Sequence, residues 1–193
     1  MKTVNNRTTK YPIEDIFLKR FSPRAMSAEI IYKDELMTLF EAARWAPSAS
    51  NIQPWRFIYA MKGTPEFEKL ISIMIPFNKE WCIRASVLVL VVSHNLLKDT
   101  KISVSHSFDT GAAWENLALQ ASMTGFIAHG MAGFNYAIAK KEFNVPEDYS
   151  VEMMIAIGKP GKIVDLPEPL RARETPSDRK PLEEIVFEGK FPS

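Results

Sequence analysis

Apolar residues recur at helical spacing in some stretches of this chain and run uninterrupted in others, and that difference orders its elements. Tyr11 to Arg20 carries Ile13 and Phe17 behind Pro12, which predicts a short amphipathic helix entered through proline. Lys33 to Trp45 places Leu36, Leu39, Phe40 and Ala43 on one face with charges between them, a stronger helix that Pro47 stops. The polar loop Ser48-Ala49-Ser50-Asn51 follows, and Trp55 to Ala60 reads as a strand. Thr64 and Pro65 cap a helix carrying Phe67, Leu70, Ile71 and Met74. Ala85 to Ser93 is apolar on every face and rich in valine, the pattern of a central strand covered on both sides.

The second half repeats the alternation with smaller side chains. Asp109 to Thr124 predicts a long helix ended by Gly125, and Ala112, Ala113, Ala118 and Ala121 allow close approach by another element. Phe126 to Gly133 holds glycines at 130 and 133, Asn135 opens a helix to about Phe143, and Val151 to Gly158 reads as a strand. Six of the 13 prolines fall in the last 35 residues, so 159–193 reads as an extended arm, with Glu183 to Glu188 as one short strand inside it. Such an arm needs something to pack against, a partner subunit or nothing at all if it is a free tail. The sum is an α+β domain spanning 1–193, one mixed sheet between helices.

Composition narrows the function classes. Twenty-four Lys+Arg against 23 Asp+Glu leave a net charge of +1, without the basic excess that grips a nucleic-acid backbone. The single cysteine, Cys82, excludes an internal disulfide and reads as a small buried hydrophobe. The longest apolar run, Val87 to Val92, is far short of the roughly 20 residues that span a bilayer, and Met1 to Lys10 lacks a signal-peptide core. The expectation is a cytoplasmic protein without membrane partner. His94, His106 and His129 are too far apart to suggest a metal site. No dinucleotide fingerprint, Walker A motif or nucleophile elbow appears, so an enzyme of this sequence would lean on a bound cofactor.

Three patches could hold one. Arg20-Phe21-Ser22-Pro23-Arg24 offers guanidinium forks and a hydroxyl suited to phosphate oxygens, though a solvated turn is the plainer reading. In Ala46 to Trp55, Pro47 and Pro54 stiffen small polar residues that can lie against a planar ligand, with Asn51 and Gln53 as amide partners; a capped helix-to-strand loop is the alternative. Gly130-Met131-Ala132-Gly133 before a helix lets backbone N–H groups approach a ligand, or is simply a tight connection. Arg179-Lys180-Pro181-Leu182 in the arm is a weaker fourth.

Together, R-x-S-x-R, A-R-W-A-P-S-A-S-N-I-Q-P-W, M-A-G-F and R-K-P-L-E-E-I-V, in that order from about Ile13 to Phe187, resemble the nitroreductase family of flavoproteins. The resemblance implies a nitroreductase-like fold with a mixed, mainly antiparallel sheet. It also implies an intertwined homodimer that exchanges its C-terminal arms and binds FMN at the interface. Arg20, Ser22 and Arg179 would then hold the phosphate, with Phe21 in the same segment and Lys180 as a substitute cation. Arg24 would stabilise the charge that reduction places near N1 and the C2 carbonyl, so no side chain is expected as nucleophile. Pro47, Ser48, Ala49 and Asn51 would come from the other subunit, Asn78 would bond the ring's amide edge, and Met131, Ala132 and Gly133 would bring backbone to N5 and O4. Trp81 and Ser177 stand where some members carry basic residues. The region 94–108 would form part of a lid, with His94, His106 and Phe108 either shaping the acceptor pocket or simply lying on the surface.

The implied activity is hydride transfer from NADH or NADPH through flavin N5 to a nitroaromatic, quinone or similar small electrophile, in ping-pong order. The alternatives are a specialised branch, dehalogenating or flavin-fragmenting, and a flavin-binding module without turnover; a structural dimer with a decayed site is a further one.

Overall fold

A computed structural model describes residues 2–97 and 101–192. The chain opens with a hairpin, β1 (Lys2–Val4) and β2 (Arg7–Thr9), turned by Asn5 and Asn6 at φ 51° and 63°. Asparagine tolerates this left-handed turn, which matches the twist of paired strands. Next comes α1 (Asp15–Lys19), shorter than the predicted Tyr11–Arg20: the backbone is still extended at Glu14 and is extended again at Arg20. Ile13 and Phe17 stay exposed, and Leu18 is the residue α1 buries.

The centre is a four-stranded sheet. Helix α2 (Lys33–Arg44) leads to a 3-10 turn at Ala49–Asn51 and β3 (Trp55–Met61); α3 (Pro65–Ser72) and α4 (Pro76–Cys82) then cross to β4 (Val87–His94). After the small hairpin β5 (Leu96–Leu97) and β6 (Lys101–Ile102) come α5 (His106–Met123), β7 (Ile127–Met131), α6 (Tyr136–Glu142) and β8 (Tyr149–Gly158). The sheet order is β3-β4-β8-β7, and every described pairing in the expected mainly antiparallel sheet is antiparallel. The caps follow the sequence. Thr64 Oγ1 accepts the Phe67 N–H at 3.3 Å, Asn135 Oδ1 accepts that of Ile138 at 3.0 Å, and the Glu35 carboxylate accepts that of Tyr32 at 2.7 Å.

Strand β4 explains why the core has two halves. Its residues 87–93 are buried on both faces, and alternate side chains go to opposite sides. Val87, Val89 and Val91 pack with Leu36, Leu39 and Leu117 of α2 and α5, whereas Leu88, Leu90 and Val92 pack with Phe67, Leu70 and Trp81 of α3 and α4. Burying side chains of this size contributes roughly 1.5–3 kcal/mol each.

Beyond β8 the arm runs through a 3-10 turn at Ile163–Asp165 and α7 (Glu168–Arg171), where Leu170 is fully buried. The strand expected over Glu183–Glu188 does not form. Pro181 leads instead into a 3-10 turn at Leu182–Glu184, and residues 181–192 are all exposed, with no sheet edge paired to them.

Candidate functional site

Four arginines expected or near to binding positions, and one from far upstream, converge on a single cavity. Its volume is about 380 Å³, and it is lined by Arg7, Arg20, Phe21, Ser22, Arg24, His129, Arg173, Thr175, Ser177 and Arg179. No carboxylate is among these lining residues. The segment 20–24 reaches the cavity because α1 ends abruptly: the Arg20 N–H still bonds the Ile16 carbonyl at 2.9 Å, and the chain then runs extended. At the far end of that segment, the Arg24 and Ala25 N–H groups both donate to Glu174 Oε1, at 2.6 and 2.7 Å. The Glu174 carboxylate thus pins the arm beneath the segment.

Arg24 lies deeper than its neighbours. Its guanidinium sits 5.9 Å from the ring centroids of both Phe77 and Trp81 on α4, and its Nε is buried without a hydrogen-bond partner. Burial lowers its pKa, with Glu174 opposing that and Arg173 adding to it. His129 on β7 lies against Trp81, its Nδ1 3.1 Å from the Pro23 carbonyl oxygen. Burial first, and then the Arg24 charge, push its pKa down to about 4, so its imidazole is neutral at physiological pH. Arg20 pairs with Glu115 at 3.4 Å, and Arg179 bonds only the nearby Ser177 and Asp178.

The α4 residues continue the site toward Gly133. Buried Asn78 donates through Nδ2 to the Gly133 carbonyl at 3.1 Å, and the Ile75 N–H bonds the same carbonyl at 3.0 Å. A Cβ at Gly133 would stand 2.6 Å from Asn78 Nδ2 and 2.7 Å from Ile75 Cδ1, so a larger residue would have to push both side chains aside. Ala132 is exposed beside it, whereas Met131 is buried against Cys82, with the two sulfurs 3.6 Å apart, and offers only its backbone to a ligand. Burial raises the Cys82 thiol, which matches the inert hydrophobe expected of it.

The remaining candidates are elsewhere. Pro47, Ser48, Ala49 and Asn51 do not line the cavity. Pro47, Ala49 and Asn51 are exposed, and Ala49 bonds Asp109 of α5 through its N–H at 3.1 Å. Ser50, Asn51 and Gln53 have φ of 49°, 54° and 53°, left-handed conformations that non-glycine residues hold at a cost on the order of 1 kcal/mol each. His106 bonds Ser93 at 2.7 Å and pairs with Glu152 at 3.4 Å, a polar knot at the start of α5, and Phe108 is 83% exposed. His94 similarly meets Asp148 at 3.0 Å. Within the expected lid, residues 98–100 lie outside the described ones. Lys180 is exposed and does not line the cavity.

Arg7, Arg173, Glu174 and His129 were not legible as site residues. Arg7 opens the second strand of a hairpin whose Asn-Asn turn was the available signal, and the others belong to no recognisable motif. Ser177, expected as a departure from a basic position, does line the cavity and gives its carbonyl to Arg7 Nε at 2.8 Å.

A sequence model of the Nitroreductase family matches residues 18–75, from the end of α1 through α3. A Mycolicibacterium smegmatis protein of 15.4 kDa, uncharacterised, is 32% identical over 108 residues, 55% of this chain and 72% of its own length. A Streptomyces coelicolor protein that carries an NADH dehydrogenase/NAD(P)H nitroreductase name is 29% identical over 145 residues, 65% of this chain and 71% of that one. Among solved structures, an oxidoreductase containing FMN superposes with a TM-score of 0.95 at 41% identity, over 100% of this chain and 99% of its own. A Desulfovibrio desulfuricans protein in complex with FMN gives 0.76 at 25% identity, covering 95% of this chain and 100% of that one. Shared fold over the whole length, and a family match across the segment that feeds the basic cavity, place this chain in the nitroreductase family.

Proposed function

We propose that this protein is an FMN-dependent oxidoreductase that takes hydride from NADH or NADPH and delivers it to a small electrophilic acceptor, a nitroaromatic, a quinone or a related compound. The observation that carries this reading is the cavity on which Arg20, Ser22, Arg24 and Arg179 converge, with no carboxylate among its lining residues and Glu115 meeting Arg20 from outside that lining. Such a donor set fits a phosphate dianion, which guanidiniums recognise bidentately. The buried, unpartnered Nε of Arg24 is the second sign of fit, because an orphaned charged donor is costly unless a ligand satisfies it.

FMN, when bound, supplies the chemistry of accepting hydride from a nicotinamide and passing it on. The residues of this chain position and charge the site. Arg20, Ser22 and Arg179 would hold the phosphate. Arg24, backed by the aromatic rings of Phe77 and Trp81, would place positive charge at the pyrimidine edge, a preorganised electrostatic contribution that requires no proton transfer. Asn78, with Nδ2 committed to Gly133, keeps Oδ1 as an acceptor for a ring N–H. Neutral His129 closes the site without adding a further cation.

The loop 47–51 reaches a flavin in this reading only from a second copy of the chain. Exposed Tyr32, Trp45, Phe108 and Phe191 leave apolar area of the kind that association buries, which supports a homodimer with paired sites. Sedimentation should give twice the mass of one chain.

The deciding experiment is an absorbance spectrum of the purified protein reconstituted with FMN, followed by anaerobic NADH and then NADPH. Flavin bands that bleach with either donor support the oxidoreductase. Bands that persist with both favour a flavin-binding module without turnover. A protein that takes up no FMN overturns the reading.

A further inference from the structure

The cavity has a contributor outside every motif of the sequence. Arg7, on β2 of the N-terminal hairpin, is 6% exposed and lines the cavity alongside Arg20, Ser22 and Arg179. Its guanidinium is clasped by three backbone carbonyls: Nε donates to Ser177 O at 2.8 Å, and Nη1 to Leu18 O at 2.9 Å and to Arg20 O at 2.8 Å. Two of these carbonyls belong to or adjoin the segment that carries Arg20 and Ser22, and the third lies two residues before Arg179. One side chain therefore fixes both walls of the phosphate end against each other.

Those three acceptors are neutral. They satisfy N–H groups, but among the described residues no carboxylate bonds the guanidinium directly and Asp178 acts on it only from a distance, and a buried cation so weakly compensated is expensive. The nearby charges make this worse: Arg179 and Arg20 both oppose the charge on Arg7, and only Asp178 favours it. A carboxylate partner would have been the ordinary solution for a structural arginine. Its absence from the lining, together with the cavity the guanidinium borders, points to an anion as the missing partner.

We propose that Arg7 is a phosphate-binding and positioning residue, the contribution of the N-terminal hairpin to the phosphate end of the cofactor site. It does two jobs: it adds positive charge to the cavity, and it sets the spacing between the Arg20–Ser22 segment and the arm that bears Arg179. This rests on the FMN reading above, and the test is chosen to separate the two.

The test compares FMN with riboflavin, which carries the same ring and ribityl chain without the phosphate, by flavin fluorescence titration of the wild type, Arg7→Gln and Arg7→Lys. Arg7→Gln should weaken FMN at least tenfold while changing riboflavin affinity less than about twofold, and Arg7→Lys, which restores charge but not the three-carbonyl clasp, should recover part of the loss. Equal losses for both flavins would reduce Arg7 to a structural clasp and overturn the proposal, as would unchanged FMN affinity. A second readout needs no flavin: inorganic phosphate should raise the melting temperature of the wild type and fail to raise that of Arg7→Gln. If the wild type binds neither flavin but phosphate still stabilises it through Arg7, the FMN reading falls and the anion site stands. If phosphate stabilises both proteins alike, Arg7 is not part of an anion site.

Discussion

Around the basic cavity, backbone amides and guanidiniums are held by partners far away in sequence; around the loop 47–51, the bonds are local, as from the Gln53 N–H to Ser48 Oγ, or reach to α5, and Pro47, Ala49 and Asn51 are exposed. Glu174 bonds Arg24 across 150 positions, and Arg7 bonds Ser177 across 170. Ala49 meets Asp109, but Pro47, Ala49, Asn51 and, on α5, Phe108 are exposed. The first region is built to completion by one chain. The second is exposed, and its left-handed residues are held at local cost. In the homodimer proposed above, a site assembled from both regions would couple cofactor binding to association.

The sharpest way to break the comparison is to remove the tether of the completed region. Glu174→Ala leaves the buried Arg24 and Ala25 N–H groups without their acceptor, and each is a charge-assisted bond. The expected cost is about 3–5 kcal/mol in urea unfolding. Glu174→Gln keeps an acceptor oxygen and should lose markedly less. Equal losses would mean that charge, not geometry, is what Glu174 supplies.

A smaller effect follows from His129, whose pKa falls from an ordinary 6.5 to about 4 on folding. A depressed base is neutral in the folded protein while the unfolded chain takes up the proton. Its contribution is therefore fully present above pH 6.5 and is lost as pH falls toward 4, on the order of 3 kcal/mol in all. Unfolding free energies measured from pH 7 to 4 should fall along that window, and His129→Phe, which can still pack on Trp81, should flatten the slope. A slope that survives the substitution would assign the acid sensitivity to other groups.

The Arg24 side chain tests whether the completed region sets redox energy as well as affinity. Arg24→Ala removes positive charge from where reduction adds negative charge, so the two-electron midpoint potential of bound FMN should drop by roughly 30–60 mV, about 1.4–2.8 kcal/mol. Spectroelectrochemistry reads this directly. An unchanged potential would leave Arg24 as a binding residue only.

How much of this was readable in advance depended on whether a signal was local. Periodicity placed α2, β4 and the capped starts of α3 and α6, because alternation and caps are properties of neighbouring residues. The resemblance brought together Arg20, Ser22, Arg24 and Arg179, and the fold gathers those four around one cavity. What escaped was either very short or non-local. The arm's expected strand failed because alternation at Glu183–Glu188 says nothing about whether a sheet edge is there to receive it. Glu174, His129 and the Arg7–Ser177 bond gain their roles from contacts across more than a hundred positions, and no window of sequence contains both partners.

The exposed region carries the smallest expected effect and the one most specific to it. Phe108 is 83% exposed on the first turns of α5, so truncating it removes almost no packing within the chain. Phe108→Ala should shift unfolding free energy by no more than about 0.5 kcal/mol, as surface substitutions do. If this region shapes the acceptor pocket, the same variant should raise the acceptor's KM several-fold while the rate of anaerobic flavin bleaching by NADH or NADPH stays within about twofold of wild type, since uniform binding of the acceptor is what the ring can supply. A change in bleaching with no change in acceptor KM would move Phe108 to the nicotinamide, and a change in neither would leave it a surface residue. The two regions would then differ in function as they differ in construction, the cavity setting cofactor affinity and potential and the exposed half choosing what is reduced.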